Sequence, residues 1–303
     1  MKGDSERGRT YIWGAADNGK RALEFCVKDF DIVGFIDNRS NKLTSFCGYE
    51  VISPRELQEK KDAFNVIVAI RYPAQALTYI IENKLNNIHV LIYDGRTEEN
   101  ELIYEAKNYE ICVPEYMDKR YAESGEHKKH YLNLNEQQRL LNSEILNLIS
   151  RYDKETKIIE LGCGSGQVAN MLFDNGYQFY EGVDFSIEAI RLAKQMNPEH
   201  KDDFLCRDVF DYLEKKTFAE DEIILCFEML EHLNKDREVL EMIPKGHDLI
   251  ISVPNFSSFN HVRVFENEAE IKYRYDMLKI KEITRIMSET DTNNWWYIVY
   301  ATR

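Results

Sequence analysis

Residues 157–172 constrain the fold more than any other stretch of this chain. Ile158-Ile159-Glu160-Leu161 runs into Gly162-Cys163-Gly164-Ser165-Gly166, and Gln167-Val168-Ala169-Asn170-Met171-Leu172 follows. The short β-branched run suits a strand buried on both faces of a parallel sheet. Alternate glycines permit positive φ and let another group approach the main chain closely. The residues after Gly166 open a helical pattern. Strand, glycine turn and helix in that order form the opening unit of a doubly wound layer. Asp184 ends the next apolar run, Tyr180-Glu181-Gly182-Val183. An acid at that strand tip can accept both hydroxyls of a ribose. The plainer alternative is a tight turn whose glycines serve packing alone.

With Glu160 ahead of Gly162, Gly164 and Gly166, the segment resembles motif I of the class I S-adenosylmethionine (SAM) methyltransferases, an acid, one residue, then G-x-G-x-G. Dinucleotide folds space their glycines G-x-G-x-x-G because a pyrophosphate sits on the helix end; here the third glycine comes one residue early. The resemblance covers roughly residues 150 to 260. Phe204 to Val209 looks like the third strand, Ile223 to Glu228 the fourth and Leu249 to Asn255 the fifth, with helical spacing over Ile187–Met196 and Lys235–Ile243. The resemblance implies SAM as cofactor, bound by Glu160, Gly162, Cys163, Gly164, Gly166, Asp184, Phe185, Asp208, Val209 and Phe227. Asp208 matches the acid that reads the adenine amino group in that family. Ile280–Met287 and Trp295–Ala301 can close the sheet as an antiparallel hairpin. Little sequence remains for a helix before that hairpin, so Phe256–Met277 reads as a substrate lid.

Residues 10 to 94 repeat the α/β rhythm. Strands are predicted at Thr10–Trp13, Ile32–Asp37, Val66–Ile70 and His89–Asp94, and helices at Lys20–Lys28 and Pro73–Leu85. Ser53-Pro54-Arg55-Glu56 reads as an N-cap, a first-turn proline and an early acid. The Gly34-Phe35-Ile36-Asp37-Asn38 and Gly48-Tyr49-Glu50-Val51 phrases resemble the small Rossmann-like domain of bacterial surface-sugar enzymes. The turn Gly14-Ala15-Ala16-Asp17-Asn18-Gly19 departs from G-x-G-x-x-G, with Ala16 at the middle glycine. A nucleotide-sugar site, a structural or dimerising module and an NAD(P) site all stand as readings of this half. The expected fold class is α/β with two doubly wound domains: a Rossmann-like domain over 8–113, a helical connector or lid over 114–150, and a seven-stranded class I methyltransferase sheet over 151–303.

Composition bounds the partners. A net charge of −14, most of it beyond residue 114, argues against a polyanionic nucleic-acid partner, which lysine and arginine would have to hold. No apolar run approaches a membrane span, and Met1 to Glu6 lead into no hydrophobic segment, so neither membrane insertion nor a secretory signal is expected. Six cysteines without C-x-x-C pairing suit reduced thiols in the cytoplasm.

Methyl transfer needs an aligned acceptor and a place for its proton. Glu228-Met229-Leu230-Glu231-His232 follows the fourth strand, and on an α-helix residues 228, 231 and 232 share one face. The phrase resembles the E-x-x-E-H segment of ubiquinone-pathway O-methyltransferases and small-RNA 3′-terminal methyltransferases, where it ligates a divalent metal. That resemblance implies Glu228, Glu231, His232 and His261 as ligands of Mg²⁺ or Mn²⁺; without a metal, His232 reads as a base or substrate contact, with Glu231 and His261 as further candidate catalytic residues, or the Glu-His pair serves a purely structural role. Arg263 reads as an anion anchor or a solvated surface arginine, and Tyr116, Tyr121 and Tyr131 as packing. The reading is a SAM-dependent methyltransferase acting on a hydroxyl of a small sugar-linked acceptor for surface polysaccharide, with a possible homodimer. Methylation of another small metabolite and a non-catalytic SAM-binding scaffold are the alternatives.

Overall fold

The structure, a computed structural model, describes residues 8–60, 62–95, 101–287 and 292–303; the N-terminal reading of residues 1–6 falls outside them. The chain forms two compact units, one of residues up to Val113 with Ser258–Asn260, the other of Pro114–Ser257 and His261–Arg303.

In the first unit β1 (Arg9–Trp13), α1 (Asp17–Cys26), β2 (Asp31–Ile36), β3 (Ser45–Phe46), β4 (Tyr49–Ile52), α2 (Pro54–Gln58), β5 (Phe64–Val68), α3 (Ala74–Glu82), β6 (Ile88–Asp94) and β7 (Leu102–Glu105) follow in order. The sheet runs β3-β4-β2-β1-β5-β6-β7, with five parallel strands flanked by antiparallel β3 and β7. Leu102–Glu105 supplies an edge strand. Its Tyr104 is buried, an apolar anchor that a composition average hides. Ser53 caps α2 as its sequence predicts: its Oγ accepts from Glu56 N at 3.1 Å and Glu56 returns the bond to Ser53 N at 2.7 Å, a capping box.

The second unit opens with α4 (Pro114–Glu123) and α5 (Glu136–Ile149), separated by two 3-10 turns rather than forming one helical run. Then come β8 (Ile158–Leu161), α6 (Gln167–Asp174), β9 (Tyr180–Asp184), α7 (Ile187–Met196), β10 (Phe204–Cys206), α8 (Val209–Lys215), β11 (Ile223–Cys226), α9 (Asp236–Met242), β12 (Asp248–Pro254), α10 (Glu268–Arg274), β13 (Lys279–Met287) and β14 (Trp295–Thr302). The sheet order is β10-β9-β8-β11-β12-β14-β13. The first five strands are parallel, and β14 inserts antiparallel between β12 and β13. Every residue of β8 and β11 is buried, as helices on both faces require.

The expectation that little room remains for a helix within Phe256–Met277 is corrected. That segment contains α10, and Phe265, Ile271 and Tyr275 are buried in the sheet's core cluster. Those three side chains anchor the segment to the core.

In the first unit, a Cβ on Gly19 would lie 1.8 Å from the Gly14 carbonyl oxygen. Helix α1 can start against β1 only without a side chain there. Gly19→Ala is expected to destabilise this unit by about 2 kcal/mol, the scale of an overpacked core. Urea unfolding followed by a probe in that unit checks this.

Candidate active site

The carboxyl ends of β8, β9, β11 and β12 gather the polar residues of the second unit. After β8 the chain turns through Gly162, Gly164 and Gly166 at φ +75°, +53° and +75°, left-handed values that glycine adopts without strain. A Cβ on Gly162 would lie 2.8 Å from the Met229 sulfur, and one on Gly164 would lie 2.8 Å from the Tyr121 hydroxyl. Gly166 precedes α6 and packs on Ala193 and Asn197. Asp184, buried at the tip of β9, accepts from Gly164 N at 3.0 Å and Ser186 N at 2.9 Å. These bonds tie the glycine turn to the neighbouring strand. Burial raises the Asp184 carboxyl to about 6 against the two N–H bonds that lower it.

Helix α4 lies against α7. Asp118 accepts from Ser186 Oγ at 2.6 Å and Glu188 N at 3.1 Å, while Ser186 Oγ caps Ala189 N at 3.1 Å. Tyr121 is therefore placed over the glycine turn by a polar cap beneath it. No spacing rule connects Tyr121, Asp118 or Met229 to that turn; only folding brings them there. Tyr116 is buried, and Tyr131 lies against His130, in keeping with packing for both.

Glu160 is buried within β8 and accepts a hydrogen bond from the Tyr180 hydroxyl. Burial pushes its carboxyl up to about 8, with the Tyr180 bond acting the other way. Cys163, Val209 and Phe227 are buried, Phe185 is half-buried and Asp208 is exposed. Asp208 caps α8, its Oδ1 accepting from Phe210 N at 2.8 Å and Asp211 N at 3.4 Å.

The α-helical face expected for Glu228, Glu231 and His232 is absent. Glu228 takes a left-handed φ of +50°, and Leu230–His232 is a single 3-10 turn. Ser252 in β12 clamps Glu228: its Oγ accepts from the Glu228 amide at 2.8 Å and donates to Oε1 at 3.0 Å. A strained non-glycine residue held this way recurs at functional sites. Ligand atoms of Glu231, His232 and His261 lie within 4.8 Å of one another. The imidazoles of His232 and His261 meet edge to face at 5.0 Å between centroids.

Among the described residues, neither carboxylate oxygen of fully buried Glu231 meets a hydrogen-bond donor from another residue. Burial first, then the nearby Glu228 charge, push its carboxyl well upward, with its own backbone amide and then Arg263 opposing. His261 Nδ1 lies 2.9 Å from the Phe256 carbonyl. A carbonyl only accepts, so the ring proton is on Nδ1 and Nε2 keeps its lone pair. Burial lowers the His261 pKa.

The chain matches the methyltransferase-domain family over residues 134–303, more than half its length. The chain belongs to the methyltransferase-domain family. Ubiquinone biosynthesis O-methyltransferase of Neisseria meningitidis serogroup C is 30% identical over 80 residues, 25% of this chain and 33% of that protein. The match thus spans about a third of that relative's length. Phosphoethanolamine N-methyltransferase 2 of Haemonchus contortus, bound to SAM, superposes with a TM-score of 0.50 at 11% identity over 99% of this chain and 95% of that chain; it shares the fold. Magnesium protoporphyrin IX methyltransferase of Synechocystis PCC 6803 is also similar, with a TM-score of 0.45 and 14% identity over 62% of this chain and 93% of that chain.

The first unit places a second acid at a strand tip, but Asp37 is already engaged. It accepts from Ala15 N at 3.0 Å and from Arg39 N at 2.9 Å, and pairs with the Arg39 guanidinium at 2.8 Å. Arg39 also reaches the Ala15 carbonyl at 2.9 Å, and the Arg39 bond draws the Asp37 carboxyl down to about 2. The side chain that would receive a ribose here braces its own turn.

Glu160 supplies a pH test of the methyltransferase fold. Its folded pKa lies above its unfolded value, so the folded state holds the proton more tightly. Stability from this group is present below the unfolded pKa of 4.5 and is lost as pH rises toward about 8, because folding then keeps a proton that the unfolded chain releases. Glu160→Gln removes the ionisation and keeps an acceptor for Tyr180. The variant is expected to exceed the wild type in thermal stability at pH 8, with the gap closing near pH 4.5, in paired calorimetric scans.

Proposed function

We propose that the enzyme transfers the SAM methyl group to a hydroxyl of a small sugar-linked acceptor in surface polysaccharide synthesis, in the cytoplasm. Glu231, His232 and His261 form the acceptor side of the site. The observation that carries this reading is their convergence: an unpartnered buried carboxylate and two imidazoles, one with a fixed tautomer, at the ends of adjacent strands. A hydroxyl must lose its proton as it gains a methyl group, and imidazole is suited to receiving it. The printed function of the Neisseria relative, O-methylation, agrees with an oxygen acceptor. The first unit's phrases around Asp37 support the sugar class, while the Asp37–Arg39 pair weighs against a dinucleotide there.

Bound SAM would supply an already activated methyl group on sulfur. On this reading the glycine turn holds its methionine portion, with Tyr121 covering Gly164, and Asp184 receives the ribose hydroxyls. The buried, left-handed turn and the strand-tip acid fit that group, since a Cβ at Gly162 or Gly164 would intrude on the neighbouring Met229 or Tyr121. The polar residues then exclude water and orient the acceptor. Asp208 would approach the adenine through Oδ2, its other oxygen being committed to the α8 cap.

The orphaned Glu231 oxygens favour a divalent cation in the same cluster. Glu231, His232 and His261 would hold Mg²⁺ or Mn²⁺, and the ion would acidify the acceptor hydroxyl. The Phe256 carbonyl would orient His261 as a ligand in the way outer partners of metal-binding histidines do.

Asp184→Ala is expected to weaken SAM and S-adenosylhomocysteine alike, at least tenfold by calorimetry, since each hydrogen bond to a charged acceptor is worth about 1.5–3 kcal/mol. Normal affinity for both would assign the ribose elsewhere.

For the acceptor side, purified enzyme with labelled SAM is offered a panel of nucleotide sugars and catechols. Methylation of a sugar, lowered about 10²-fold by His232→Ala with SAM affinity intact, is the expected result; catechol-only methylation would overturn the sugar assignment. Mn²⁺ titrated alone, followed by electron paramagnetic resonance, should bind wild type and fail with Glu231→Gln. Equal binding by both would remove the cation.

A further inference from the structure

His232 and His261 belong to different segments, one following β11 and the other following β12. Something other than sheet hydrogen bonding must set their 5.0 Å approach. One side chain connects the two segments at several points. The Arg263 guanidinium donates to the Leu230 carbonyl at 3.2 Å and to the Asn234 carbonyl at 3.2 Å, the residues that bracket the Glu231-His232 turn. The same guanidinium pairs with Asp236 at 2.5 Å. One residue earlier, Val262 N donates to the Glu231 carbonyl at 2.8 Å.

The Arg263 side chain is only 17% exposed and its partner Asp236 is fully buried. Asp236 has further support from Arg274 at 2.5 Å and the Tyr275 hydroxyl at 2.9 Å. Its charge is therefore compensated without Arg263. That leaves the carbonyl bonds as the distinctive contribution of Arg263, and a planar fork with five donors is suited to bridging two carbonyls and a carboxylate at once. Neither sequence reading of Arg263, anion anchor or solvated surface residue, survives this geometry: its donors face the protein.

We infer that Arg263 is a positioning residue for methyl transfer, stapling the Leu230–Asn234 turn to the His261 segment so that the two imidazoles face one site. The inference rests on the proposed acceptor role of these histidines, and its test is independent of any acceptor. Loss of the staple frees the turn while leaving the glycine turn and Asp184, on other strands, untouched.

Histidine rings are ¹³C-labelled in the full-length, metal-free protein, and the Overhauser contact between His232 and His261 is measured. Arg263→Ala is expected to lose that contact, to keep SAM affinity within twofold by calorimetry, and to regain the contact when guanidinium ion is added at millimolar concentration. A contact that persists in Arg263→Ala overturns the inference, as does one that guanidinium fails to restore. Should Arg263→Ala not fold, Arg263→Lys serves: it keeps a cation on Asp236 but lacks the fork. Its contact should weaken; a wild-type contact in Arg263→Lys overturns the staple. A separate measurement isolates the underlying reading. If His261→Gln methylates at the wild-type rate, the acceptor role of the cluster falls, whatever the ring contact in the Arg263 variants shows.

Discussion

A parallel strand buried on both faces can offer polar chemistry to a ligand only at its ends. In the second unit β8, β11 and β12 are almost wholly buried, so the glycine turn, Asp184, Glu228 and the histidine pair collect at their carboxyl edge. Glu160 is a buried acid within a strand, and its surroundings treat it accordingly. With only the Tyr180 hydroxyl beside it, the carboxyl is driven toward its neutral form, which costs far less in an apolar layer than a charge.

Two buried carboxylates five positions apart show how environment separates structure from chemistry. Asp236 is enclosed by two guanidinium groups and a phenol; such a compensated charge holds segments together. Glu231, equally buried, meets no hydrogen-bond donor from another of the described residues on either oxygen. Unsatisfied buried polar groups are uncommon in folded proteins because each costs about 1–3 kcal/mol. Asp236 thus fixes the frame, and Glu231 is the group left with capacity for a ligand. Arg263 links the two, bonded to one and electrostatically coupled to the other.

The first unit repeats the architecture with a different outcome at its edge. Gly14 and Gly19 allow the same close strand-to-helix passage, yet Arg39 and the Ala15 amide consume the strand-tip acid. Two similar sheets therefore present unlike surfaces at corresponding places, and the difference lies in one arginine two residues past the acid.

Much of the fold was legible from residue order alone. The strand–glycine–helix unit at 158–172, the acid ending β9, the capping box at Ser53 and the closing hairpin each rest on neighbours in sequence, where local geometry decides. The edge strand β7, the helix α10 and the break between α4 and α5 were not legible, because they depend on which apolar side chains find the core. At the site, the resemblance to metal-binding methyltransferases marked Glu231, His232 and His261, and helical spacing placed Glu228 on one face with Glu231 and His232. The left-handed turn at Glu228 and its Ser252 clamp are set by a neighbouring strand 24 residues away, beyond any helical spacing rule. Likewise Tyr121 over Gly164 and Arg263 between two loops are products of packing. The sequence by itself determined the layered sheet and the chemistry available at its edge, since both follow from hydrophobic pattern and residue type. Only the tertiary structure decided which carboxylate is neutralised and which is left open, because that depends on the cations and donors that folding brings within hydrogen-bond reach.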